Sequence, residues 1–149
     1  TERPVDVDGL RFHDTICVTG AHGGLGRNVV PHELVLWVNV RVSPIGSLAA
    51  AREEVEHLAG PEAEVRWLDE SPPAVPNLDA PAVRRFIEDT GLPVHPKQAW
   101  TDVATLAAAG IPALNYGPGE PSQAHQPNEW VDIARLEESE RTLLAYLAG

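Results

Sequence analysis

Along residues 34–42, "LVLWVNVRV", apolar and mixed positions alternate. Leu34, Leu36, Val38, Val40 and Val42 point one way, and Val35, Trp37, Asn39 and Arg41 the other. A period of two belongs to a strand, here with one core face and one mixed face. "SPIGS" follows as a turn in which Ser47 is placed to cap a helix. Leu48, Ala51, Val55 and Leu58 then recur at helical spacing until "AGP" ends the run. Residues 63–68, "AEVRWL", read as a second strand, which makes 34–68 a right-handed βαβ unit. Upstream, "RFHDTICVTG" reads as a strand that leads through the Gly-rich "GAHGGLGRN" into residues 34–42.

The texture changes at 69–77, "DESPPAVPN", where three prolines and no periodicity mark a hinge or linker. Beyond it the elements are short. Asp79 is placed to cap a helix that carries Val83, Phe86 and Ile87 and ends at Gly91. "LPVHPK" reads as a short strand, Thr101 as the cap of the helix "DVATLAAA", and "IPALNY" as an apolar strand. Leu136, Leu143, Leu144 and Leu147 form the stripe of a closing amphipathic helix. The predicted class is α/β.

Composition narrows the functional classes. The chain has 149 residues, 43% of them hydrophobic, which suits a globular protein. No apolar run reaches the length of a membrane span, so the chain reads as soluble and cytoplasmic. Its net charge of −11, from 22 acidic and 11 basic residues, argues against a nucleic-acid partner, which demands a basic stripe. Cys17 is the sole cysteine, which excludes an internal disulfide and a Cys-cluster zinc site; within "TICVTG" it reads as a buried, inert thiol. No methionine is present, even at position 1, and the chain is expected to be a piece of something longer.

The spacing of chemical groups is less telling. "GAHGGLGRN" has glycine spacing like that of a phosphate loop, but it leads into a strand rather than out of one, and so reads as a β-connection. His13, His22, His32, His57 and His95 show no ligand spacing and read as surface or loop histidines. Arg41 is either a solvated strand arginine or a planar fork for a carboxylate. His125 sits in the loop "NYGPGEPSQAHQPNEW" and is open to three readings: a hydrogen-bonded loop histidine, a general base or a metal ligand.

Two segments carry a family resemblance. "WTDVATLAAAGIPALNYGPGEPSQAHQPNEWV" resembles the C-terminal metal-site segment of the dinuclear-zinc aminoacylase and carboxypeptidase family. "GRNVVPHELVLWVNVRVSP" resembles that family's inserted lid, or dimerisation, domain. The resemblance implies that residues 1–70 are the second half of a βαβ, ferredoxin-like lid and that residues 71–149 are the C-terminal part of an α/β zinc-hydrolase domain. It implies that His125 is the last histidine ligand of a two-zinc centre, in which cobalt or manganese can substitute. Glu129 stands where the family has an acid after that histidine. Asn28 and Arg41 match lid positions that reach the substrate's amide and carboxylate, while Thr101, Asp102 and the glycines Gly117 and Gly119 line the pocket floor.

The implied activity is metal-dependent amide hydrolysis that removes an acyl group, succinyl foremost, from an amino-acid amine. Acetyl removal and carboxypeptidase action are the alternatives within the family. A non-catalytic dimerisation module is the alternative outside enzymes. A small anionic acyl-amino-acid substrate and a homodimer through the lid are the implied partners. The family's His-x-Asp pair, bridging Asp and Glu-Glu pair are absent from this sequence, so no catalytic residue is assigned and the chain alone is expected to be close to inactive.

Overall fold

The computed structural model describes residues 1–148 and is mixed α/β. Three strands form one antiparallel sheet in the order β1 (Glu2–Val7), β2 (Leu10–Gly23), β3 (Leu34–Arg41). Four helices follow: α1 (Leu48–Ala59), α2 (Pro81–Thr90), α3 (Asp102–Ala108) and α4 (Ile133–Ala148), with a 3-10 turn at Pro121–Gln123. The chain divides into two compact units. Thr1–Pro76 and His95–Ala109 make the first, and Asn77–Val94 with the chain from Gly110 makes the second.

In the first unit β1 and β2 form a hairpin that the alternation of residues 34–42 gave no reason to expect. Asp8 and Gly9 both have positive φ, 50° and 77°, so Val7 pairs directly with Leu10 across a two-residue turn. That twist matches the twist of the flanking strands, and Asp-Gly is a favoured pair for it. The β2–β3 hairpin is the longer of the two. Thr15 faces Arg41, Cys17 faces Asn39 and Val18 faces Val38, after which a bulge shifts the register so that Gly20 faces Trp37. At Gly23 a Cβ would stand 2.8 Å from the carbonyl oxygen of Glu33, so the two strands approach there as only glycine permits. The Gly-rich segment is a β-connection, as its place before a strand implied.

Several expectations are corrected. Residues 63–68 carry no ladder among the described residues, so the βαβ unit does not close. A strand exists through a neighbour's hydrogen bonds, and the apolar rhythm of "AEVRWL" does not supply one. Side chains tie the segment instead: Arg52 pairs with Glu70 and stacks over Trp67 at 5.6 Å. The helix itself is where the pattern placed it, with Ser47 Oγ accepting the Ala50 N–H at 3.3 Å. The expected core face of β3 is open: Leu34, Leu36 and Val38 are 67%, 47% and 41% exposed. A sheet face is buried only when a second layer packs on it. Cys17 is exposed rather than buried for the same reason.

The buried apolar set of this unit is Val7, Phe12, Val55 and Ala104. β3 ends opposite Thr15, which leaves the edge of β2 below that residue without a strand partner. Gln98 occupies it: its Oε1 accepts the His13 N–H at 3.1 Å and its Nε2 donates to Arg11 O at 2.8 Å. The segment "LPVHPK" just before it forms no strand, since its two prolines remove the donors that a ladder needs.

In the second unit α2 starts at Pro81 with Ala80 as its cap and without a side-chain cap. Asp79 therefore does not cap it. Pro81, with a preset φ and no N–H to satisfy, begins the helix by itself. Gly91 closes it at φ 63°, its N–H bonded to Ile87 O at 2.9 Å. In the first unit, Thr101 does stand at the cap position of α3, without a side-chain cap bond. Residues 111–116 form no strand. They place Tyr116 against Phe86 with ring centres 5.1 Å apart, and Tyr146 of α4 meets the other side at 5.0 Å. The expected leucine stripe of α4 is not its buried face: Leu136, Leu143, Leu144 and Leu147 are all exposed, while Ser139 is buried and Tyr146 half-buried. No helix of the described residues is long and apolar enough to cross a membrane.

Candidate functional site

Two places carry the candidate chemistry, one in each unit. In the second, residues 117–130 wind through successive turns. Gln123 N–H bonds to Glu120 O at 2.9 Å, Gln126 N–H to Gln123 O at 3.2 Å and Glu129 N–H to Gln126 O at 3.1 Å. Arg135 of α4 pairs with Glu120 and anchors the loop's start. That pairing raises the Arg135 pKa, chiefly through the hydrogen bond and then through charge attraction.

His125 stands in this loop with φ 64°, in the left-handed region. For a residue with a Cβ that conformation costs about 1–2 kcal/mol. Such strain persists only where surrounding contacts impose it. Its backbone N–H donates to Glu129 Oε2 at 3.1 Å. Its imidazole is exposed and makes no hydrogen bond or ion pair among the described residues. Gly117 and Gly119 lie in the same loop, and a Cβ at either would meet no atom within 4 Å.

In the first unit Arg41 ends β3. Period-two alternation puts Asn39 and Arg41 on one face, and their cross-strand partners Cys17 and Thr15 share it. With Thr1, Glu2, Ile16 and Thr19 they line an open trough of about 520 Å³. Six of the eleven basic residues (Arg3, Arg11, Arg52, Arg66, Arg85 and Arg135) pair with carboxylates; Arg41 is not among them. Among the described residues Arg41 is in no ion pair, and its planar guanidinium shares the trough with hydroxyls, an amide and the Glu2 carboxylate; such a fork is suited to a carboxylate. Thr15 escaped notice in the sequence because only the ladder register places it opposite Arg41, and Thr19 because only the fold brings it to the same trough. Asn28 lies in the exposed β2–β3 connection and Thr101 at the head of α3, and neither lines the trough.

His125 suits one position of a metal site, since neutral imidazole is a good zinc ligand. Among the described residues no three His, Cys, Asp or Glu side chains group closely enough to hold a metal ion.

Residues 5–149 match Peptidase family M20/M25/M40, and the chain belongs to that family. It is 36% identical over 148 residues to a putative succinyl-diaminopimelate desuccinylase of Mycobacterium tuberculosis, covering 99% of this chain and 42% of that protein. It is 30% identical over 149 residues to the succinyl-diaminopimelate desuccinylase of Corynebacterium glutamicum, covering 97% of this chain and 40% of the relative. An N-formyl-4-amino-5-aminomethyl-2-methylpyrimidine deformylase of Halalkalibacterium halodurans is 29% identical over 90% of the chain. The chain thus spans about two fifths of the length of the curated relatives it matches.

Proposed function

We propose that this chain is the C-terminal part of a metal-dependent amidohydrolase that removes the succinyl group from N-succinyl-diaminopimelate in lysine and diaminopimelate biosynthesis. The observation that carries the reading is the 36% identity extending over 99% of the chain to a protein named for that reaction. In this reading residues 1–70 belong to a lid and residues 71–149 to the catalytic domain. His125 supplies one imidazole to a two-zinc centre, with cobalt or manganese as substitutes, and the remaining ligands and the general base lie outside this chain. When bound, the metal pair polarises the scissile carbonyl and lowers the pKa of water.

The chain's own residues orient the substrate. Arg41 takes a substrate carboxylate in a two-pronged grip, the feature that separates a succinyl from an acetyl group. Asn28 donates to the amide end, and Thr101, Gly117 and Gly119 shape the floor. The open apolar face of β3 supports self-association through the lid, and a cytoplasmic location fits the biosynthetic role.

The relatives also include an N-acetyl-L-citrulline deacetylase that is 37% identical over 57 residues, which favours N-acetyl removal, as from N-acetylornithine, as the second reading. The test uses the full-length protein with N-succinyl-diaminopimelate and N-acetylornithine side by side, after chelation and after restoring zinc. Preferred hydrolysis of the succinyl substrate, with activity reduced at least about 100-fold in His125→Ala, is expected. Preference for the acetyl substrate selects the second reading, and hydrolysis untouched by chelator or by His125→Ala defeats the metal role.

A further inference from the structure

The loop holds His125 in a conformation that its residue type disfavours, and a single side chain returns to hold it there. Glu129 follows four residues later, after two turns closed by the N–H groups of Gln126 and Glu129. Its carboxylate accepts the His125 N–H at 3.1 Å. Among the described residues the Glu129 carboxylate is in no ion pair, and its hydrogen bond goes to this backbone N–H. At φ 64° the Cα–Cβ bond leaves the chain on a different side than it would at negative φ. Whatever contact fixes φ therefore fixes the direction in which the side chain leaves the backbone.

We infer that Glu129 is a positioning residue: by accepting the His125 N–H it selects the left-handed backbone and so aims the imidazole at its ligand. The bond is made to the backbone N–H, which a neutral amide oxygen of the same shape can also accept, so Glu129→Gln keeps the function. The consequence for metal affinity rests on the reading of His125 as a ligand; the backbone consequence stands by itself.

The test compares full-length wild type, Glu129→Ala, Glu129→Gln and His125→Ala. In metal-free protein, hydrogen exchange is followed at the His125 amide. Glu129→Ala is expected to exchange at least about tenfold faster, and Glu129→Gln to stay within about threefold of wild type. In zinc titrations Glu129→Ala is expected to bind about 10–100-fold more weakly, the range seen when a residue that orients a ligand is removed. Glu129→Gln restores most of that loss. Unchanged exchange at His125 in Glu129→Ala overturns the inference. So does full zinc affinity in Glu129→Ala where His125→Ala has lost its metal, an outcome that leaves the ligand reading intact. If His125→Ala itself binds zinc as tightly as wild type, the ligand reading falls, and the exchange rates alone decide whether Glu129 aims the loop.

Discussion

Phe86 gives the second unit a single point at which its packing can be weighed. The ring is 8% exposed and lies between Tyr116 and Tyr146, at 5.1 and 5.0 Å with interplanar angles of 67° and 79°. Both are edge-to-face pairs, worth about 0.5–1.5 kcal/mol each beyond area burial. Replacing a buried Phe by Ala costs about 3–5 kcal/mol. The walls here are two helices and a loop that can relax inward, which places Phe86→Ala near the low end, about 3 kcal/mol. Phe86→Leu keeps most of the apolar volume and forfeits the two ring pairs, so about 1–2 kcal/mol is expected. Urea unfolding followed by circular dichroism reads both variants as a lower midpoint with an unchanged slope. A loss below about 1 kcal/mol for Phe86→Ala refutes the packing argument. So does a Leu variant as damaged as the Ala variant, because ring geometry would then contribute nothing separable from volume.

Two further predictions concern the first unit. Gly23→Ala should destabilise by about 1–3 kcal/mol in the same denaturation assay, because its Cβ would meet Glu33 O at 2.8 Å and the hairpin backbone must shift; wild-type stability would refute it. Glu70 is held below the ordinary carboxylate value of 4.5 chiefly by the hydrogen bond from Arg52; burial opposes this, and the Arg52 charge adds a lesser lowering. A depressed carboxylate stabilises above its unfolded pKa and loses that contribution as pH falls through the folded value. Melting temperature measured downward from pH 5 should therefore fall slightly less steeply in Glu70→Gln than in wild type, and high salt should shrink the difference. Identical acid slopes in low salt would show that the pair contributes nothing.

What could be read in advance was local. The alternation of 34–42 placed β3 within a residue of its observed end, and Ser47 capped the helix that follows because capping needs only neighbours three residues apart. The Asp8-Gly9 turn was equally local and equally legible in principle, since both residue types tolerate the positive φ that the hairpin demands. The loop around His125 was visible as a run of glycines and prolines with one imidazole, and the family of the chain followed from the two segments that flank the linker.

Everything that depended on a distant partner belonged to the tertiary structure. Residues 63–68 have a strand's rhythm and no ladder, Leu34 and Leu36 have a core residue's hydrophobicity and no layer above them, and Cys17 has apolar neighbours in sequence but lies open beside Asn39. Pairing and burial are relations between segments, whereas periodicity describes one segment at a time. The same holds for the candidate site. The sequence by itself singled out one loop imidazole, His125, and one strand guanidinium, Arg41, as candidates. Only the folded backbone, through the β2–β3 register and the bond from His125 to Glu129, decided which side chains stand beside Arg41 and what holds His125 in place.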